Sequence, residues 1–179
     1  LGALYDKYPD LKIDLMLEER VLDLPMREAD VAIRMKEPSQ ADLVRRRLMS
    51  VNMKLYASTE YLEKHGTPES LSDLSTHRII SQNSTAPQVN ASASLIRRLF
   101  TTDIASHLMV NNYFGILQAV VHGLGIGVLP DYLTEDFPQL VHVLPEETSN
   151  EVPVYLAYPE ELRHSKRVEA FRDFVIDEV

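Results

Sequence analysis

Histidine is the first residue type in this 179-residue chain that could bind a metal or transfer a proton. The six histidines are scattered, and no two of them have the i, i+4 spacing with which one helix face presents two imidazoles to zinc. We therefore interpret each as a surface or helix-end residue and expect no metal site. They are His65, His77, His107, His122, His142 and His164.

Motifs for covalent or phosphate chemistry are missing from the sequence. It contains neither a G-x-S-x-G nucleophile elbow nor a G-x-x-x-x-G-K-[ST] phosphate loop. Adjacent carboxylates such as Glu18-Glu19 and Glu160-Glu161 point apart on a helix or a strand, so they do not converge on one substrate atom. The sequence therefore predicts no enzymatic activity and no cofactor.

Three glycines in the segment 123–127 resemble a dinucleotide fingerprint, but the order of elements around them is reversed. A nucleotide fingerprint follows a strand and begins a helix. Here a predicted helix comes first and a predicted strand follows. We therefore assign Gly123 to the end of the helix.

Polar residues at the carboxyl ends of predicted strands are the remaining candidates, because ligands bind at these ends in open parallel sheets. Asn111 and Asn112 precede a predicted helix, whose N-terminus can hold an anion, and Arg34 can bind a carboxylate through two hydrogen bonds. These features predict a small organic acid or other anionic metabolite. The candidate ligand-binding residues are Glu18, Arg34, Ser81, Gln82, Asn83, Asn111, Asn112, Tyr113 and Pro130.

Two other interpretations of these residues stay open. Arg34 could pair with Glu18 or Glu37 inside the protein, since arginine–carboxylate pairs are common there. Asn111 could serve only as a helix cap.

The charge and composition exclude several classes of protein. The formal net charge is −9, and an acidic chain does not hold DNA by neutralising phosphates. We interpret the single dense basic run, residues 45–47, as a solvated strand end. No apolar run approaches the ~20 residues of a membrane span, and the lack of cysteine fits a reducing cytoplasm. We expect a cytoplasmic protein with no membrane contact and no DNA binding of its own.

Short apolar segments that alternate with helical patterns predict an α/β fold with mainly parallel sheets. One predicted strand is residues 11–17, where apolar and polar side chains alternate. The strands are too many for one small sheet, so we predict two lobes joined by two crossover segments. Lobe one comprises residues 1–56 plus 146–179, and lobe two comprises residues 57–145.

Several stretches of the chain resemble the effector-binding region of LysR-type transcriptional regulators. The resemblance covers nearly the whole chain, in order. It implies two Rossmann-like lobes of the type II periplasmic-binding-protein fold, with a small metabolite bound between them. The stretches are Asp30-Val31-Ala32-Ile33-Arg34, Leu55 to Leu62 followed by Gly66-Thr67-Pro68, Val110-Asn111-Asn112, and Gly123 to Pro130.

The resemblance also implies partners. A helix-turn-helix DNA-binding domain and the first strand of lobe one are expected before Leu1, so contact with DNA would come only through that domain. A two-fold pairing of chains is expected as well, as in most soluble assemblies. The predicted interface residues are Leu1, Leu4, Tyr5, Ile116, Leu117 and Val120; the alternative is that these side chains pack inside their own lobes.

Two rival functions remain on the sequence alone. One is a stand-alone periplasmic-type solute-binding protein, which would need an export signal upstream of Leu1 where a regulator needs a helix-turn-helix. The other is an enzyme, because transferases can share this fold and a fold does not fix a function.

Overall fold

The protein is described by a computed structural model that covers residues 1–17, 23–35, 37–82 and 106–179. The chain divides into two compact units, Leu1–Ser50 with Pro153–Val179, and Val51–Val152. It therefore passes between the units twice, between residues 50 and 51 and between residues 152 and 153.

The first unit contains a three-stranded sheet with the order β1-β8-β2. β1 (Ala32–Arg34) pairs antiparallel with β8 (Val152–Pro159), and β2 (Leu43–Val51) lies on the other side of β8. Two helices, α1 (Gly2–Lys7) and α4 (Lys166–Asp177), complete the unit.

Both faces of β8 are covered, which explains its nearly continuous apolar sequence. Leu156 and Tyr158 pack against Val168 of α4. Ala157 points to the opposite face and packs against Leu24 and Leu43. The final strand and helix thus find their apolar surface in the first unit.

Residues 11–17 do not form the predicted strand. They have no regular secondary structure and no sheet partner among the described residues, and Leu15 and Leu17 are 63% and 57% exposed. Alternating apolar and polar side chains indicate only that one face of a segment is apolar. A strand also needs a neighbouring backbone for its N–H and C=O groups, and the alternation contains no information about that neighbour.

The second unit contains a five-stranded sheet with the order β5-β4-β6-β3-β7. Its strands are β3 (Met53–Ser58), β4 (Ile79–Gln82), β5 (Ser106–Val110), β6 (Ile126–Pro130) and β7 (Leu140–Val143). α2 (Thr59–His65) follows β3, and α3 (Tyr113–Val121) links β5 to β6.

The prediction of mainly parallel sheets is wrong. β4 runs parallel to β5 and β6, but β3 runs antiparallel to both β6 and β7. In the first unit, β1 and β8 are antiparallel. Alternating strands and helices predict how many crossovers a chain makes, but they do not say which strands become neighbours.

Each face of the second sheet has its own apolar core. On one face, Ile116, Leu117 and Val120 of α3 pack on Ile80 and Leu129. On the other face, Tyr61 of α2 joins a cluster of buried strand residues that comprises Leu55, Ala57, Ile79, Ile126 and Val143. The first of these clusters fixes α3 on the sheet and so determines where its N-terminus lies.

Candidate ligand-binding site

The carboxyl ends of β4, β5 and β6 lie at one edge of the second sheet, because these three strands are parallel. Gln82, the last residue of β4, is in register with Val110, the last residue of β5. Asn111 and Asn112 follow directly, and Pro130 ends β6. The structure therefore brings predicted ligand residues from three strands to one edge, which we call the carboxyl edge of the second sheet.

The N-terminus of α3 lies at this edge. Asn112 is its N-cap, and the Asn112 Oδ1 accepts the N–H of Gly115 at 2.8 Å. The Asn112 Nδ2 donates to the Asn111 Oδ1 at 3.1 Å. The sequence left open whether Asn111 caps this helix; in the structure the cap is Asn112.

One backbone donor of this helix turn is available to a ligand. The N–H of Phe114 donates no hydrogen bond among the described residues. The first turn of a helix also carries the positive end of its dipole, which favours a negative group nearby. The geometry of α3 therefore suits an acceptor oxygen or an anion.

Gly115 lets this turn lie directly on β5. A Cβ at Gly115 would overlap the Cγ1 of Val110. Gly127 of β6 allows a similar close approach further along α3, because a Cβ at Gly127 would lie 2.7 Å from the Cγ2 of Val120. Close packing through these glycines holds the helix N-terminus against the carboxyl edge.

Ser81 and Gln82 face opposite sides of the sheet, as successive strand residues do. The Ser81 Oγ donates to the Ser106 Oγ at 2.7 Å and so joins β4 to β5. The Gln82 side chain is only 8% exposed, and neither its Oε1 nor its Nε2 has a hydrogen-bond partner among the described residues. Of this pair, Gln82 is the one with unused hydrogen-bonding groups.

Asp131, which sequence reasoning missed, follows Pro130 at the same edge. Its Oδ1 accepts the N–H of Asn52 at 3.2 Å, and its Oδ2 lies 3.3 Å from the Lys54 Nζ. Burial alone would raise the pKa of Asp131, but these contacts with Asn52 and Lys54 outweigh it and lower that pKa. Asp131 therefore joins β6 to β3 as an ion. Its position after a strand-ending proline was the only sequence signal.

Arg34 ends β1 in the first unit, in register with Tyr155. Its guanidinium is half-buried, which lowers its pKa, while the nearby charge of Asp23 raises it. Glu37, one of the two suggested partners of Arg34, lies 3.6 Å from the Arg45 Nε. The other suggested partner, Glu18, lies outside the described residues, as does the candidate Asn83.

Four of the predicted interface residues are buried within their own units. Leu4, Ile116, Leu117 and Val120 have almost no exposed surface, so their side chains are not available to a second chain. Helical spacing marks an apolar face, and here that face is the one that packs on the sheet. Leu1, Tyr5 and Phe114 are the exposed apolar residues of the same two helices.

Two further sequence expectations concern metals and the glycine segment. No group of three His, Asp or Glu side chains in the described part of the chain could hold a metal ion. Gly123 follows α3 with φ of 69°, which confirms it as the residue that ends the helix.

Within residues 1–17, 23–35, 37–82 and 106–179, no helix is both long and apolar enough to cross a bilayer.

Comparison with known proteins gives a consistent result. The family model described as LysR substrate binding domain matches residues 1–179. An uncharacterized HTH-type transcriptional regulator of Haemophilus influenzae is 29% identical over 156 residues, which are 86% of this chain and 54% of that protein. The HTH-type transcriptional regulator CrgA of Neisseria meningitidis is 28% identical over 179 residues, 97% of this chain and 59% of CrgA.

Solved structures agree with the sequence comparison. The regulatory domain of CrgA, a LysR-type transcriptional regulator from Neisseria meningitidis, superposes with a TM-score of 0.83 at 27% identity. That match covers 99% of this chain and 88% of the CrgA domain. The regulatory domain of AphB in Vibrio vulnificus, at 24% identity and a TM-score of 0.69, shows the same fold.

These matches confirm the predicted fold, the two-lobed type II periplasmic-binding-protein fold of LysR regulatory domains. The chain spans between half and three-fifths of the length of the regulators it matches. From the family model that matches it from end to end, the chain belongs to the LysR substrate binding domain family.

Proposed function

We propose that this chain is the effector-sensing region of a LysR-type bacterial transcriptional regulator. A small metabolite bound by the region would control DNA-dependent transcription by the whole protein. The observation that carries the proposal is the family match over residues 1–179, together with the donor groups at the carboxyl edge of the second sheet.

The relatives do not favour a solute-binding protein, because they are transcriptional regulators. We also propose that the chain is not an enzyme. The candidate site offers amide groups and a backbone N–H, which bind ligands but are poor proton carriers. The Asp131 carboxylate at the same edge is held ionised by Asn52 and Lys54, so it is a weak general base.

The remaining parts of the proposal come from the family. DNA would be bound through an N-terminal helix-turn-helix domain, as the names of the relatives indicate for those proteins. The regulator would act in the cytoplasm, where the bacterial chromosome lies. A two-fold pairing of chains would use exposed apolar residues such as Leu1 and Tyr5.

For the effector we propose a small organic acid or other anionic metabolite. The Phe114 N–H, which is unbonded among the described residues, and the dipole of α3 support an anion at the carboxyl edge of the second sheet. Arg34 of the first unit is proposed as a separate anion-binding candidate, because guanidinium groups bind carboxylates through two parallel hydrogen bonds.

A thermal-shift screen of small organic acids tests this proposal. An acid present at 100 times its Kd is expected to stabilise the folded chain by about 2.7 kcal/mol. Phe114→Asp places a negative charge where the anion is expected, and a carboxylate in a first helix turn does not destabilise the helix. The shift should therefore disappear in Phe114→Asp and persist in the neutral control Phe114→Asn.

Arg34→Ala supplies an independent arm of the same screen. If Arg34 binds the acid, this variant should also lose the shift. Acid-induced shifts that stay unchanged in both Phe114→Asp and Arg34→Ala would show that the proposed site is wrong. Shifts given only by neutral or cationic compounds would show that the proposed effector class is wrong.

A further inference from the structure

Among the described residues of the second unit, four polar side chains are more than nine-tenths buried, and Gln82 is the one of them whose polar atoms have no hydrogen-bond partner; the partly buried His142 also has one such atom, its Nε2. The Ser58 Oγ accepts the N–H of Tyr61, and the Ser149 Oγ accepts the N–H of Met53. The His77 Nδ1 lies 3.3 Å from the Tyr61 Oη. Gln82 is buried to the same degree, yet both of its side-chain polar atoms lack a partner among the described residues.

The position of Gln82 places it on the face of the sheet that carries α3. It lies two residues after Ile80, whose side chain packs on Ile116 of α3, so alternation places Gln82 on the same face. Its register partner Val110 lies against Gly115 in the first turn of α3. Gln82 therefore lies at the same strand end as the N-terminus of α3, where the Phe114 N–H is unbonded among the described residues.

An unpaired buried amide destabilises a folded protein, because the hydrogen bonds that it made to water are lost. Native proteins satisfy nearly all such groups, and the exceptions call for an explanation. A methionine at this position would fill a similar volume without that loss. A bound ligand accounts for both the retention of the amide and its position at the carboxyl edge.

We propose that Gln82 recognises the effector through a planar group with a donor and an acceptor side by side, such as a primary carboxamide or a cyclic amide. The Gln82 Oε1 would accept from the ligand N–H, and the Gln82 Nε2 would donate to the ligand oxygen. An ionised carboxylate offers no donor and leaves the Oε1 unpaired. The effector therefore carries an amide edge in addition to, or in place of, an acid group. This inference rests on the proposed sensing function.

The first test is the stability of the unliganded chain. Because Gln82→Met removes an unsatisfied amide, it is expected to leave the melting temperature unchanged or to raise it. A lower melting temperature in Gln82→Met would show that a buried water or another structural partner holds the amide, and that result would overturn the proposal. Ser149→Ala, which removes a satisfied buried hydroxyl, is the matched control and should lower the melting temperature.

The second test is ligand selectivity, measured by NMR on the side-chain NH₂ signals of Gln82, which are assigned by their loss in Gln82→Met. The probes are three amide–acid pairs of nearly equal shape: benzamide and benzoate, nicotinamide and nicotinate, and asparagine and aspartate. At least one amide is expected to shift the Gln82 signals saturably and to bind about fivefold to tenfold more tightly than its acid, which is the effect of one hydrogen bond. That amide should lose its binding in Gln82→Met.

Equal binding of every pair, or Gln82 signals that move with none of the amides, would overturn the inference. Its failure differs from a failure of the proposed function. If organic acids still stabilise Gln82→Met, the sensing function stands and only the role of Gln82 is lost. If no compound of either class binds the wild-type chain, both proposals fail.

Discussion

His77 is a buried side chain that contacts the hydroxyl of Tyr61. The backbone N–H of Arg78 donates to the Tyr61 Oη at 2.9 Å, and the same oxygen lies 3.3 Å from the His77 Nδ1. Burial, and next the charge of His65, lower the pKa of His77.

This arrangement predicts that the second unit loses stability in mild acid. A histidine whose pKa is lower in the folded state than in the unfolded state stabilises the fold fully above its unfolded pKa, about 6.5. That stabilisation is lost as the pH falls from there toward the folded pKa, by about 1.4 kcal/mol for each unit of lowering.

Urea unfolding of the chain at pH 7.5 and pH 5.5 measures this loss. His77→Asn keeps an acceptor near the position of the Nδ1 but does not titrate, so the difference between the two pH values should shrink in this variant. His142, whose pKa is also lowered by burial, should keep part of the pH dependence. An undiminished difference in His77→Asn would show that other groups cause it.

At the scale of residues, the sequence predicts the types of the site residues better than their contacts. Asn112 and Gln82 could be found because each comes at the end of a predicted strand. The ion pair of Asp131 with Lys54 could not, since it depends on β6 lying beside β3. The lack of partners for Gln82 likewise depends on everything that packs around it.

At the scale of elements, the start of β6 is held against the start of β4 by a glycine. A Cβ at Gly125 would overlap the carbonyl oxygen of Arg78, and the next residue, Ile126, donates its N–H to that same oxygen at 2.9 Å. Because backbone atoms cannot move aside as a flexible side chain does, this position has no room for a larger residue. The contact sets the alignment of the parallel strands that form the carboxyl edge.

Gly125→Ala is therefore expected to destabilise the second unit by about 1–3 kcal/mol, the usual cost of overpacking. Gly2→Ala is the matched control, because a Cβ at Gly2 has nothing within 4 Å. It should leave stability unchanged or slightly higher, since alanine favours a helix over glycine. Urea midpoints of the two variants compare the effects; equal midpoints would contradict the proposed contact.

The helices and most strands could be predicted from the sequence, because apolar periodicity and end signals are local. α2 begins after Ser58, whose hydroxyl caps it, and ends at Gly66 with φ of 83°. Pairing between strands is not local. For this reason β3 is antiparallel to its neighbours, and residues 11–17 have no sheet partner in the described part of the chain, both contrary to the sequence expectation.

At the scale of the whole molecule, the resemblance to LysR-type regulators said more about the fold and the function than composition and charge could. The acidic charge and the missing motifs only excluded classes of protein. The order of weak motifs along the chain identified the family, and the match over residues 1–179 confirms it. The identity of the effector is not encoded in that order, because it depends on the few side chains that contact the effector.

Pairing of chains is the whole-molecule prediction. Light scattering at tens of micromolar should give twice the chain mass of 20.4 kDa. Tyr5→Lys, which charges an exposed apolar position on α1, should reduce the mass, whereas Glu63→Lys on α2 should not. A single-chain mass for the unaltered protein would contradict pairing by this chain.

We propose that this chain binds a metabolite without transforming it, and calorimetric titration of the best compound from the acid and amide screens tests this most directly. We expect saturable binding of one molecule per chain and recovery of the compound unchanged. The heat should be lost in Phe114→Asp if the compound is an acid, or in Gln82→Met if it is an amide. Heat that never saturates, binding that survives the matching substitution, or conversion of the compound to a product would contradict this proposal.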